Sequence, residues 1–322
     1  MSLTRRRAES PTFPAIPAIG WSRRPVRMHR HGHGDHHHDH RHHDHGKSGH
    51  DRHLERQHAE GRSETEDGSY KRAVRQAGIV VIRPTSGLSG DMMLTGLARM
   101  ADAGTVDLRA MAEMLGLPDD CISLEPRAVN NVSGWGCRVS LPDTTSHRTW
   151  LDIRKLIAES GLSARGKQFA EATFALLAAT EAKIHNLAPE AVHFHEVGAL
   201  DSILDICLCA ELFARLSPSR FVCGPLPLCD GIVSCDHGLL PSPAPAVFEL
   251  LQGVPVRGIA SEGETVTPTA IALLKGMGAE FGAWPEMTIE RTALVYGGRI
   301  LPGVPNGALF ALGTERIPQE FG

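Results

Sequence analysis

The 322-residue chain contains no run of about 18 uninterrupted apolar residues, so no segment reads as a membrane-spanning helix. Arg5-Arg6-Arg7 lies near the start without an apolar stretch behind it, and a secretory leader is not expected. There is no CxxC pair, and the seven cysteines are odd in number. Both facts argue against a structural zinc site and a disulfide framework and for a reducing compartment, so the expected location is the cytoplasm. The glycine-bearing turn Ser86-Gly87-Leu88-Ser89-Gly90-Asp91 lacks the GK[ST] of a P-loop, which argues against a P-loop nucleotidase there. Internal repeats are absent too. Basic residues are short from Ile79 onward: residues 79–322 hold 18 Lys+Arg against 27 Asp+Glu. That acidic balance argues against a broad nucleic-acid surface.

Residues 1–78 have the opposite balance, 15 Lys+Arg against 10 Asp+Glu. They carry few large apolar side chains and are rich in Arg, His, Gly, Ser and Glu. Such a composition cannot offset chain entropy by burial, so a disordered tail is expected. Thirteen of the 18 histidines fall between His29 and His58. His36, His37, His38, His40, His42, His43 and His45 are interrupted by Asp and Arg, unlike an expression tag. Tracts of this composition bind divalent ions without a fixed site, and Ni²⁺, Zn²⁺ and Cu²⁺ are the candidates. A plain solvated linker is the alternative.

A folded domain is expected over residues 79–313, with a short tail at 314–322. Ile79-Val80-Val81-Ile82 is an apolar run of buried-strand length. After it, Ser89 is placed to cap a helix whose apolar side is Met92, Met93, Leu97 and Met100, closing at Gly104. A second helix is expected over 107–115. Residues 121–129 and 134–141 read as a hairpin turned by Asn130-Asn131 and Ser133-Gly134. Helices at 150–160 and 164–186 precede a short strand and a helix reaching Leu216. Extended chain follows over 221–236, helices over 245–252 and 267–276, and closing strands over 287–295 and 307–312. Alternating helices and strands predict an α/β or α+β domain around a mixed sheet.

Residues 193–206, HFHEVGALDSILDI, concentrate the chemistry. His193, His195, Glu196, Asp201 and Asp205 lie within thirteen positions. In a strand, His193 and His195 share one face; in a helix, Asp201 and Asp205 do. Imidazoles beside carboxylates suit a divalent transition metal. The same residues would equally serve as half-exposed strand positions and the wet side of a helix. Ser86, Gly87, Ser89, Gly90 and Asp91 form a strand-to-helix turn able to meet an anion with helix N-terminal amides, or simply a tight turn. Asp91 is either a metal ligand or a charge opposing the helix dipole. His237 stands before Gly238 in a loop stiffened by prolines, held toward a ligand. Cys207, Cys209 and Cys223 are expected to be buried, inert thiols. Thr267 with Pro268 suffices as a helix start; Glu264 is an acid/base or ligand candidate.

Taken in order, SGLSGDM, HFHEVGALDSILDI, HGLLPSPAP and TPT closely resemble the LarC-type nickel-insertion proteins. The resemblance runs from about Ile79 to Gly313 and ends in Val295-Tyr296-Gly297-Gly298 and Pro305-Asn306. It implies an enzyme, a nickel chelatase of the lyase class. Its substrate would be a pyridinium bis-thiocarboxylate mononucleotide, which gains two Ni–S bonds and one Ni–C bond while CTP is consumed. The resemblance supplies the motifs and not the roles; from the residues themselves, the expected nickel ligands are His193, His195 and His237 with the tail histidines. Metallating a ring carbon releases a proton, and Glu196 is the expected acceptor, with Asp201 and Asp205 as further catalytic groups. Ser86, Gly87, Ser89, Gly90, Asp91, Thr267 and Thr269 are the expected substrate contacts. A nickel store or chaperone on the same fold is the alternative.

The motifs depart from the family in three places. Arg83 stands where an acidic residue is usual, either removing a ligand or adding a phosphate contact. Ala270 follows TPT in place of glycine, and Gly298-Arg299 replaces Ala-Gly. Full-length members continue into a C-terminal domain used for metal–CTP binding, so a separate CTP-binding partner is expected here. Homo-oligomerisation is left open; neither nucleic acid nor membrane is an expected partner.

Overall fold

The structure, a computed structural model, describes residues 78–141, 148–194, 197–235 and 237–316. The histidine-rich segment lies outside these residues, and with it the expectation of disorder and the candidates His36, His37, His38, His40, His42, His43 and His45. His195, Glu196 and Asp236 also lie outside them.

The chain enters through strand β1 (Ile79–Pro84), turns, and runs into helices α1 (Gly90–Ala101) and α2 (Thr105–Glu113). α1 ends earlier than expected. Asp102 takes the left-handed conformation at its C-cap, and Gly104 instead opens α2. The hairpin β2 (Ile122–Val129) and β3 (Val132–Val139) follows. Its loop is just Asn130-Asn131, both with positive φ, the backbone a two-residue turn requires for the strand twist. Hence Ser133 and Gly134 belong to β3 and not to the turn.

Next come β4 (Arg148–Thr149), α3 (Trp150–Glu159), α4 (Ala164–His185), β5 (His193–Phe194) and α5 (Leu200–Leu216). Thr149 and Ser163 cap α3 and α4 through their side chains. The remainder is β6 (Arg220–Cys223), β7 (Leu226–Leu228), β8 (Gly231–Cys235), β9 (Gly238–Ser242), α6 (Pro245–Leu250), β10 (Val256–Gly258), α7 (Pro268–Gly276), β11 (Glu280–Phe281), β12 (Met287–Val295) and β13 (Ala308–Glu315). Among the described residues no helix is long and apolar enough to cross a membrane.

Seven strands make one mixed sheet in the order β11-β6-β1-β13-β12-β3-β2. β1 is central, parallel to β6 and antiparallel to β13. This is the α/β arrangement of a mixed sheet with packed helices. Alternation along β1 sorts its side chains. Val80 and Ile82 join the main core with α1, while Ile79 and Val81 join a smaller cluster with Val222 and Ala311. Arg83 follows Ile79 and Val81 in this alternation. It donates to the Gly282 carbonyl and lies 4.9 Å from the Trp284 ring centre.

α5 packs against both α1 and α4. Ten of its residues, from Ile203 to Phe213, are buried, more than a single amphipathic stripe would need. A helix enclosed in this way carries even its polar positions toward neighbours, and this brings Asp205 under the start of α1.

Candidate functional site

A cavity of about 280 Å³ opens where β1 passes into α1. Ser86, Gly87, Ser89 and Asp91 form one wall, Glu264, Thr265 and Thr267 a second, and Tyr296 to Leu301 a third. The first two walls are stitched together. Leu88 N–H donates to Thr265 O at 2.9 Å, and Thr267 N–H donates to Leu88 O at 3.1 Å. Gly87 is required by this approach: a Cβ there would run into the Thr265 carbonyl oxygen. The third wall is fixed by Asn306, whose amide donates to Leu301 O at 2.7 Å and accepts from Leu301 N–H at 2.8 Å. Tyr296 is buried, with its hydroxyl donating to Val132 O at 3.0 Å.

Ser89 occupies the N-cap position of α1 without capping it by its side chain; its Oγ donates to Asp91 Oδ1 instead. The first turn of α1 therefore presents its amide end to the cavity alongside the Asp91 carboxylate. Arg299 brings the guanidinium on the opposite wall, packed against Gly263, where a Cβ would stand 2.5 Å from the Arg299 Nη2. Thr267 caps α7 by accepting from Ala270 N–H at 3.3 Å, with Pro268 next. Gly90 and Thr269 sit behind the wall. A Cβ on Gly90 would lie 2.7 Å from Asp205 Oδ2 and 3.0 Å from Thr269 Cγ2.

Asp205 is half-buried as a residue, but its Oδ1 is sealed from solvent without a hydrogen-bond partner. Burial pushes its carboxyl well above the usual carboxylate range, and the charges of Asp91 and Asp201 push the same way. Asp201, one turn earlier, is exposed and accepts from Ser202 N–H. The shared helix face expected for these two carboxylates exists, yet only Asp205 reaches the α1 start.

A second cavity, of about 290 Å³, adjoins the first through Glu264, which lines both. His185 from the last turn of α4 and His237 from the β8–β9 turn face each other there, ring centres 5.1 Å apart. Glu181 Oε2 lies 3.4 Å from His185 Nε2. Phe194 and Val197 bring the HFHEVGA run to this cavity; His195 and Glu196, between them in sequence, are outside the described residues. His193 is exposed on β5, opposite Thr149 in the β4 register and near Asp152. It is not among the residues that line the cavity with His237.

The buried thiols are poor metal ligands. Burial pushes Cys207 and Cys223 up to about 12, and it raises Cys209 and Cys137 as well. A thiolate, not a thiol, binds metal. Among the described residues no three histidine, cysteine or carboxylate groups are gathered to hold a metal ion. Arg83 does not line the first cavity, so neither of the effects expected of it is exerted from the wall. Sequence reading missed His185 and Arg299 as site residues. Arg299 had a signal, since it ends the Tyr296-Gly297-Gly298-Arg299 string; His185 had only its pairing with Glu181 one helical turn earlier.

The family described as nickel insertion protein matches residues 80–320. A Syntrophotalea carbinolica protein provisionally named a nickel insertion protein is 42% identical over 238 residues, 73% of this chain and 59% of its own length. A Nocardioides protein named pyridinium-3,5-bisthiocarboxylic acid mononucleotide nickel insertion protein is 37% identical over 238 residues, 74% of this chain and 60% of its own. A Desulfotalea psychrophila protein, also provisionally named a nickel insertion protein, is 38% identical over 237 residues, 71% of this chain and 59% of its own. The chain thus spans about three fifths of the length of the curated relatives it matches. No solved structure matches it. With the motifs set around the two cavities and the match covering most of its length, the chain belongs to the nickel insertion protein family.

Proposed function

We propose that this domain binds a pyridinium-3,5-bisthiocarboxylic acid mononucleotide in the first cavity and serves to insert nickel into it. The substrate comes from the name of the Nocardioides relative. The observation that carries the reading is the placement of two chemically different cavities on either side of Glu264.

The first cavity suits the parts of such a molecule. A phosphate is favoured by the amide end of α1 and by the Arg299 guanidinium. A cationic pyridinium ring is favoured by the carboxylates of Asp91 and Glu264. Nickel enters as a second substrate, carried to the thiocarboxylate sulfurs by imidazoles. His237 is the proposed ligand at the second cavity, with His193 and His195 as proposed separate transfer ligands and the tail histidines gathering the ion.

Forming a Ni–C bond displaces the ring proton, and a base, carboxylate or histidine, must accept it. Glu196 is the proposed acceptor. Asp201 and Asp205 stand in reserve on α5; Asp205, raised by burial, keeps a proton where an ordinary carboxyl has lost it, and so orients rather than accepts. The reaction makes the protein a lyase-class chelatase acting with CTP, supplied through a partner that carries the CTP-binding domain. All seven cysteines are free thiols, which supports a cytoplasmic setting.

Calorimetric titration of the mononucleotide into the full chain tests the reading. One site per chain, competed by inorganic phosphate, is expected. Heat no different from dilution would remove the substrate assignment.

A further inference from the structure

We propose that the second cavity is a nickel way-station in which His185, a residue outside the sequence motifs, and His237 hold the ion beside the mononucleotide. This deepens the insertase reading and rests on it only for where the ion goes next.

Two imidazoles sharing one ion at metal–nitrogen bonds of about 2.0–2.1 Å have ring centres about 4.5–6 Å apart. The His185 and His237 rings are stacked, 5.1 Å apart with planes 28° apart, although they arrive from α4 and from the β8–β9 turn; a rotation of the side chains is needed to direct one nitrogen of each at a common ion. Glu181 meets His185 at Nε2, the carboxylate–imidazole arrangement that orients a metal-binding histidine. His185 also closes the last turn of α4, where the helix carbonyl end favours a cation.

The rest of the wall is mainly apolar, including Ile184, Phe194 and Val197. Among the described residues no third ligand is gathered with the two imidazoles, and a site of so few protein ligands suits an ion that must leave. Imidazole serves nickel among the divalent transition metals. Glu264 separates this cavity from the first, so an ion released here meets one carboxylate before the substrate pocket.

The test uses the full-length chain with its thirteen histidines from His29 to His58 replaced by asparagine, which removes the competing tail. Ni²⁺ affinity is read by competition with a chromophoric chelator. One ion per chain is expected, with at least tenfold weaker binding in His185→Gln or His237→Gln and loss in the double variant. Near-ultraviolet circular dichroism of the metal-free variants should match the parent. If a variant fails to fold, ¹⁵N-imidazole spectra of the parent replace it: one equivalent of Ni²⁺ should broaden the His185 and His237 signals first.

Nickel that stays with the folded double variant, or that broadens only His193 and His195, overturns the site. Adduct formation is assayed separately. Binding at His185 and His237 without any adduct would refute the insertase reading and leave the site standing. Adduct formation without nickel at these two residues would do the reverse.

Discussion

Gly90 and Asp205 meet at the start of α1, where a Cβ on Gly90 would stand 2.7 Å from Asp205 Oδ2. The contact joins the buried helix α5 to the turn that forms one wall of the first cavity. Gly90→Ala must displace either the carboxyl or the turn. Overpacking of this kind costs about 1–3 kcal/mol. We expect a lower urea midpoint and weaker mononucleotide binding in the same variant. An unchanged midpoint would mean that Asp205 yields freely.

The titration of Asp205 gives a stability slope. Burial holds the folded carboxyl well above the unfolded value, with Asp91 and Asp201 adding to it. The folded state therefore keeps a proton that the unfolded chain releases above about pH 4. Stability from this group is present at low pH and declines as pH rises toward the folded value. Asp205→Asn removes the decline, so its urea midpoint should gain on the wild type between about pH 4 and pH 8. Parallel pH profiles would contradict the buried, proton-retaining carboxyl.

Glu211 should show the opposite slope. Burial pushes its carboxyl up, but hydrogen bonds from Ser163 N–H at 2.9 Å, Ser163 Oγ at 2.8 Å and Arg215 at 3.0 Å outweigh this and hold it below the ordinary value. Its contribution is present above the unfolded value of about 4.3 and is lost as pH falls through the folded one. Glu211→Gln should cost about 1–3 kcal/mol at neutral pH. The difference should shrink in acid, as read by urea unfolding at pH 7 and pH 3.

Arg299 and Arg83 separate the two faces of the site. Arg299 lines the first cavity, and Arg83 stacks on Trp284 away from it. Arg299→Ala should weaken mononucleotide binding about tenfold, or about 1.4 kcal/mol, and flatten its salt dependence. Arg83→Met should leave affinity unchanged. Equal losses from both substitutions would mean that the cavity assignment is wrong.

Much of this was readable because it is local. The apolar run at β1, the glycine-bearing turn, the α1 stripe and the Thr267-Pro268 start all depend on neighbouring residues. What escaped depends on packing. Asp201 and Asp205 read as a carboxylate pair on one helix face, yet α5 is enclosed by α1 and α4, and only Asp205 is drawn inward. Ser89 read as a side-chain cap, yet its hydroxyl turns to Asp91. The facing of Arg83 follows from alternation along β1, once the strand's core side is known. His185 sits on an ordinary helix and meets His237 only through the tertiary fold.

The central claim is that the domain brings nickel and the mononucleotide together. It is tested by incubating the full chain with the pyridinium bis-thiocarboxylate mononucleotide, Ni²⁺ and CTP. The C-terminal segment of the Nocardioides relative is added in parallel samples, and absorbance and mass are followed. The account predicts a nickel adduct that depends on this chain and diminishes in Arg299→Ala. No adduct in any sample, with both mononucleotide and nickel bound to the folded protein, would contradict it.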